Sequence, residues 1–351
     1  MYCVVTDIIM IKKKKINRCS LEEKILKQVE NNTYYKAKPW EIILGMANNG
    51  ADVAFYILMG FASMIAVEGY GIATAAAGIL LTVMRIVFGA MDAVVAGVFE
   101  KFHPRRGKIQ IFMVAGWLCC LAGAMLLYSW CAGRFDGIAG WLMFILAYFI
   151  FLLGYSINTI GGGTVGIIIT NDPRQRAMVS VSATVFSYAV PLLFTNITTF
   201  VILPKYDNQY NTQMFAEMVL WYAGLTFVFV CLSCIGVFRV DVSESFASLP
   251  SASGKSREKV TVKDMWAVVR DNRNVQMYML TGVANKLAQQ TSTQSVITTL
   301  LNGVLIGSYA ATTMVSNFTQ LVGIALIFCG GFLSRNGERR EQRWSGPGSV
   351  S

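Results

Sequence analysis

The sequence predicts an all-α, polytopic membrane protein, and three observations carry that expectation. Of 351 residues, 54% are hydrophobic and only 14% are charged, whereas soluble domains run to about 25% charged residues. No charge occurs from Ile111 to Gly133, nor across 177–203, and each stretch reaches the roughly 20 apolar residues that a bilayer span needs. The apolar runs are continuous and do not alternate in segments of about 10 residues, which argues against a β-barrel.

Taken in order, the elements begin with a segment at 1–39 that reads as cytoplasmic. It is not a secretory leader: "IKKKK" follows only a short apolar stretch, and "SLEEKILKQVENN" reads as a surface helix capped by Ser20 with Glu23 three residues on. Eight spans follow, at 43–67, 72–99, 109–131, 138–169, 178–203, 214–238, 275–302 and 309–333. "EGYG", "CAGRFDGIAG" and "PKYDNQYN" are turns after the first, third and fifth. A Ser-, Lys- and Arg-rich linker at 241–274, with a short amphipathic helix near 262–271, separates a six-span bundle at 40–240 from two further spans at 275–334 and a tail at 335–351. Basic residues set the orientation. Lys12 to Lys15, Arg105, Arg106, Lys108, Arg174, Arg176, the linker and the tail all fall on one side, against only Arg134 and Lys205 on the other. The expected protein is a multi-pass protein of the cell membrane with a cytoplasmic N-terminus.

The net charge of +10 lies between spans, so the lipid bilayer and not nucleic acid is the expected partner. Cys231 and Cys234 have CxxC spacing inside an apolar helix, where packing is the simpler role. An enzyme would need a catalytic constellation. HExxH and GxSxG are missing, and the single histidine, His103, sits in a polar turn. No cofactor or metal is expected.

Ionisable groups inside spans cost about 2.5–3.5 kcal/mol each at the bilayer centre, so each needs a reason. Asp52, Arg85, Asp92 and Lys286 are such groups, with Glu41 and Glu217 near span ends. Arg85 and Asp92 are seven apart and project from one side of the second span, roughly 10 Å apart along its axis, so a third group from span one or four is expected between them. The alternatives are that Asp92 caps the basic turn at a membrane edge, and that Asp52, in "NNGADVAF", lies in a wet kink. Lys286 and Gln290 belong to a polar seventh span that must face protein or an aqueous cavity. In span four, Asn158 and Thr159 precede three glycines, read as a site of close packing or of local unwinding. Tyr56 is a candidate to stack on a ring.

Residues 85–108 with "TNDPRQR" at 170–176 resemble the glycoside–pentoside–hexuronide:cation symporters, the melibiose-permease-like branch of the major facilitator superfamily. Arg85, Asp92, Arg105, Gly107 and Lys108 match the second-span and loop pattern, Asp172, Arg174 and Arg176 match the loop after span four, and Asp52 matches the span-one sugar-binding carboxylate. The resemblance covers about residues 40–335. It implies a sugar or glycoside porter working by alternating access between two bundles of six spans, the second apparently cut short after two. In that scheme Asp52, Asn158, Thr159, Lys286 and Gln290 line the substrate site. Asp92 and Arg85 serve the coupling cation, a proton or sodium. Arg105, Arg106, Gly107, Lys108, Asp172, Arg174 and Arg176 form the gating loops. Phe88 and Thr159 stand where the family has further aspartates, which removes oxygen ligands from a sodium site and leaves Asp92 as a carboxylate able to carry a proton. A non-transporting fragment of such a porter is the other reading of the eight-span chain.

Overall fold

A computed structural model describes residues 36–102, 104, 107–135, 137–170, 172–241, 270, 272–292 and 313–327. The Ser20 helix, His103, Arg105, Arg106, nearly all of the 262–271 helix and the 335–351 tail lie outside the described residues. Among those described there is no strand, and six helical stretches are long and apolar enough to cross a membrane: Pro39–Gly60, Thr74–Lys101, Lys108–Trp130, Gly137–Ile168, Gln175–Tyr206 and Thr212–Val237.

The first span is built from α1 (Pro39–Gly45) and α2 (Asn48–Gly60), joined by a turn at Met46–Ala47, and continues into α3 (Ala62–Tyr70). It starts four residues before the expected 43. Pro39 stands at the first helical position, where its missing N–H costs nothing, and the Glu41 carboxylate accepts from the Lys38 amide at 2.8 Å. The start was hard to read because Glu41 is a buried charge, met by Arg239 at 3.6 Å. Gly71, at φ +63°, ends α3 in the left-handed region that a glycine enters without steric cost.

Next come α4 (Thr74–Lys101), α5 (Lys108–Met125, prolonged by a π-helical turn to Trp130) and α6 (Gly137–Ile168). Then follow α7 (Pro173–Asn196, prolonged through π and 3-10 turns to Tyr206) and α8 (Thr212–Val237). On α4, Ala77, Met84, Met91 and Val95 form one buried stripe, while Ile79, Val83, Ile86, Val94 and Val98 are exposed on the others. That is the division expected of a bundle helix with a lipid-facing side.

The closest packing joins α5 to α6. A Cβ on Gly116 would strike the Asn158 backbone, one on Gly123 the Phe151 backbone, and one on Gly154 the backbone of Cys119 and Cys120. Partner numbers fall by seven as they rise by seven, the register of an antiparallel pair. Lipid tails are as apolar as leucine, so helices in a bilayer associate through such van der Waals contact between small residues. On the next flank, Gly236 of α8 abuts the backbone of Leu44 and Gly45, and Ser233 Oγ donates to the Gly45 carbonyl at 2.8 Å. At the opposite end the Tyr70 hydroxyl donates to the Leu127 carbonyl at 2.9 Å.

The end of the bundle bearing the basic loops is stapled by polar contacts. Gly107, at φ +76°, turns the chain into α5. The Asp241 carboxylate beyond α8 accepts from the amides of Ile109 and Gln110 at 2.9 and 3.0 Å, and the Asp241 carbonyl accepts from Gly107 N at 3.1 Å. These are donors that the first turn of a helix leaves without an internal partner.

Of the two spans expected beyond the linker, the structure describes α9 (Arg273–Ser292) and α10 (Thr313–Ile327). Helix α10 runs along α7. Asn196 and Asn317 exchange amide hydrogen bonds at 3.1 and 2.8 Å, Thr199 and Thr313 hydroxyls meet at 2.9 Å, and Gly323 lies against the Tyr188 ring.

Two substitutions test this packing. Gly116→Leu must displace the Asn158 backbone and is expected to destabilise the protein by at least the ~1–3 kcal/mol typical of overpacking. Gly163→Ala, with open space at its Cβ position, is the matched control and should leave thermal unfolding in detergent unchanged. Asp241→Ala should expose the Ile109 and Gln110 amides to exchange about fivefold faster, for a lost cap of ~1 kcal/mol, read by hydrogen–deuterium exchange.

Candidate functional site

Two carboxylates on different spans converge on one turn of α6. Asp52, on α2 and nearly buried, accepts from Asn158 Nδ2 at 2.6 Å and from Thr159 Oγ1 at 3.4 Å. Asp92, on α4 and half-buried, accepts from Ser156 Oγ. Ser156, Asn158 and Thr159 lie within four consecutive positions, so a single helical turn carries the donors for both acids.

Local sequence explains why that turn can sit there. Asn158 is jammed backbone-to-backbone against Gly116 of α5. On the other side, a Cβ at Gly162 would overlap the Asn48 side-chain amide and approach Asp52 Oδ2 to 3.4 Å. The absent side chain at Gly162 is therefore what admits the Asn48–Asp52 face of α2. Helix α6 runs unbroken through Gly161, Gly162 and Gly163, so the expected alternative of unwinding does not occur; Gly161 and Gly162 serve close packing, while Gly163 faces open space.

The alternatives weighed for each acid are now decided by position. Asp92 lies nine residues before the end of α4 and bonds across to α6, so it does not cap the basic turn. Asp52 lies six residues past the Met46 turn and is 9% exposed, so it is not in a wet kink. Ser156 of span four reaches Asp92, but no described contact carries it on to Arg85, so the expected bridge between the two charges is not found among the described residues. Arg85 is half-buried, is not ion-paired with Asp92, and its Nε has no hydrogen-bond partner. Phe88, standing between them on the same helix, packs its ring on Tyr155 at 5.8 Å. Tyr56 is half-buried.

Three residues of this cluster escaped the sequence reading. Ser156 and Tyr155 belong to "GYSINT", a polar run inside an apolar helix, and that run was the available signal. Asn48 lies one turn before Asp52 on the same face. It is 1% exposed, and neither its amide nitrogen nor its oxygen has a hydrogen-bond partner; the same holds for Asn158 Oδ1. A buried polar atom without a partner costs about 1–3 kcal/mol. Three such atoms beside a carboxylate mark a place adapted to receive hydrogen-bonding groups.

The remaining candidates make no described contact with this cluster. Lys286 and Gln290 lie on α9, with side chains outside the described residues, as is that of Arg174 in the first turn of α7. Lys108 is buried at the start of α5 with Nζ 4.3 Å from the centre of the Phe99 ring. Arg176 donates to the last carbonyls of α6, Gly166 and Ile167, both at 3.5 Å. The buried Asp172 takes part in the backbone turn to Gln175 at 3.0 Å. Gln175, not anticipated, clamps both the amide and carbonyl of Ala37 at 3.0 and 2.9 Å. The loop residues thus close the ends of the helices, remote from the two acids. Cys231 and Cys234 are free thiols, and among the described residues no three His, Cys, Asp or Glu side chains are grouped to hold a metal ion.

Comparison with known proteins agrees with the architecture. A curated relative, the glucuronide carrier protein homolog of Escherichia coli (strain K12), is 24% identical over 199 residues, covering 55% of this chain and 42% of that protein. The match therefore spans less than half the relative's length. The family described as MFS/sugar transport protein matches residues 43–347, a range that begins inside the first span and takes in the other five and the turn of α6 on which both acids converge, and it is to this family that the chain belongs.

Proposed function

We propose that this chain carries the sugar- and cation-binding half of a secondary transporter that moves a sugar or glycoside together with a proton or sodium ion by alternating access. The observation that carries the reading is the convergence of Asp52 and Asp92 on one turn of α6. Membership of a sugar-transport family and likeness to a protein named as a glucuronide carrier homologue support the substrate class.

The chemistry follows from the side chains. A sugar presents hydroxyl donors and acceptors, and Asp52 is an acceptor whose neighbours Asn48 and Asn158 offer one unpaired amide nitrogen and two unpaired oxygens. Substrate hydroxyls satisfy these groups without new charge entering the bilayer. At Asp92 the ionised carboxylate is held by the Ser156 hydroxyl. A proton or cation arriving there weakens that bond and frees Ser156. Because Ser156 shares its turn with Asn158 and Thr159, occupancy at Asp92 alters the donors offered to Asp52. Coupling of this kind is a free energy shared by two sites, typically ~1–3 kcal/mol. Of the two ions, the proton needs one titratable carboxylate, which Asp92 supplies. Sodium needs several oxygens, and the Phe88 ring occupies the position on α4 between Arg85 and Asp92.

Alternating access needs one interface that opens while others hold. The contact of α7 with α10 has the right character, since it is made by side-chain pairs at Asn196–Asn317 and Thr199–Thr313. With the basic loops cytoplasmic, this contact lies toward the outer end of both helices and acts as an outer latch.

Three outcomes test the proposal. Asp52→Asn should abolish sugar-dependent thermal stabilisation across a panel of sugars, while full binding by this variant removes Asp52 from the substrate site. Asp92→Asn should leave sugar binding measurable but erase its dependence on pH or sodium; an unchanged ion dependence removes Asp92 from coupling. A Thr199→Cys, Thr313→Cys pair should cross-link under oxidant in vesicles and stop sugar uptake, with uptake restored by reductant. Uptake that continues through a complete cross-link excludes the latch.

A further inference from the structure

Polar side chains inside the bundle have visible partners at many places: Ser233 Oγ donates to the Gly45 carbonyl, Trp117 Nε1 to Thr226 Oγ1, and Asn196 pairs with Asn317. Asn48 differs. It is 1% exposed, and among the described residues it is the one side chain whose every polar atom is buried and without a hydrogen-bond partner. The ordinary roles of an asparagine in a span do not apply to it. At the start of a helix asparagine caps free amides, but the N-cap of α2 is Ala47 and no side chain caps that end. Between helices asparagine bonds across the interface, but the Asn48 amide lies in the notch left by Gly162 of α6 and bonds nothing there. Unpaired polar atoms in a membrane bundle are retained only at a cost, which a ligand offsets.

The place of Asn48 in the cluster decides which part of a ligand it meets. Thr159 is exposed, Asp52 is 9% exposed, and Asn48 and Asn158 are 1% and 0% exposed. A ligand arriving past Thr159 therefore meets Asp52 first and the two asparagines last. We infer, resting on the sugar-site reading above, that Asn48 is a specificity-determining residue of that site and reads a pair of free neighbouring hydroxyls on one edge of the sugar. An amide presents a donor and an acceptor side by side on one carbon. Two hydroxyls on adjacent ring carbons answer them, one accepting from Nδ2 and the other donating to Oδ1. The hydroxyl that accepts from Nδ2 keeps its own proton to donate to Asn158 Oδ1, the third unpaired atom. Two hydroxyls thus satisfy all three atoms, whichever way the Asn48 amide is turned. A carboxylate or an ether at either position brings acceptors but no proton, and leaves an asparagine oxygen facing another oxygen. The recognised edge is neutral and unsubstituted, and any glycosidic bond or acidic group of the substrate lies away from Asn48.

The test uses the full chain in detergent, with thermal unfolding read across a panel of neutral monosaccharides and methyl glycosides. For the sugar that stabilises it most, Kd is measured for analogues in which each hydroxyl in turn is replaced by hydrogen, fluorine or methoxy. Fluorine accepts weakly and cannot donate, so it isolates the donated proton. The expected result is two positions, on adjacent carbons, where all three replacements weaken binding about tenfold or more. Asn48→Ala should weaken binding of the parent sugar about tenfold and cut the discrimination at both positions by a similar factor. Asn48→Ser, the smaller change in polarity, should cut it as well. Because the amide bonds nothing in the chain, neither variant should melt lower than the unsubstituted protein when no sugar is present, which separates recognition from a structural role. Discrimination unchanged in both variants, sensitive positions that are not neighbours, or a lower melting temperature of both unliganded variants would each overturn the assignment while leaving a sugar site in place. A panel in which no sugar stabilises the chain would instead overturn the sugar-site reading, and the role of Asn48 with it.

Discussion

A carboxylate inside a bilayer persists only where protein donors replace water, because hydrocarbon offers none. Here both of the acids sunk in the first two spans find their donors on the same helical turn, Ser156 for Asp92 and Asn158 with Thr159 for Asp52. The rest of the bundle is arranged so that this turn can stand between them. Gly116 lets α5 press on the backbone of Asn158 from one side, and Gly162 lets α2 approach from the other. A larger side chain at either position would separate the acids from their donors and leave charge unpaired in the membrane.

This arrangement explains which parts of the molecule were legible in the sequence. Spans three and four read cleanly because charge disappears from them and returns in the turns, and spans two and six because only Arg85, Asp92 and Glu217 interrupt long apolar runs. The first span did not, because Glu41 and Lys38 look like surface residues, and the cation that meets the Glu41 charge, Arg239, lies nearly two hundred positions away. Asp52, Asp92, Asn158 and Thr159 were visible as polar intrusions in apolar helices. Their pairing was not, because register between helices is set by glycine contacts whose partners are far apart in sequence. Ser156 and Asn48 are the instructive omissions. Serine and asparagine are common enough in membrane helices that neither marks itself, and both gain meaning only when a neighbouring helix brings a carboxylate or a glycine beside them.

The loops were legible as charge. Gly107, Lys108, Asp172 and Arg176 cluster at one end, and the described contacts there cover or tie helix ends. Gly107 and its following amides are held by Asp241, Lys108 lies over Phe99, and Arg176 covers the last carbonyls of α6. Helix ends in any bundle leave unpaired backbone groups, and a basic or acidic residue in the adjoining loop satisfies them. The same residues join the ends of several helices at that side of the bundle.

Rigidity and motion are therefore assigned to different interfaces by their chemistry. Helices α5 and α6 are interlocked backbone to backbone, and α8 meets α1 in the same way through Gly236 and Gly45. Such contacts are lost by fractions of an ångström, so they cannot slide and re-form in a cycle. Between α7 and α10 the contacts described are a reciprocal amide pair, a hydroxyl pair and one glycine against a ring. Hydrogen bonds between side chains in a membrane are worth roughly 0.6 kcal/mol on average, and an amide or hydroxyl released from one partner can turn to another or to water. In the proposed cycle a signal at Asp92 acts through the side chains of the α6 turn, since α5 holds its backbone, and the displacement is of the glycine-locked bundle against the α7–α10 seam. Hinge and shear transitions depend on such a contrast between packed units and weakly bonded boundaries, and the proposed boundary is the one written in asparagine and threonine.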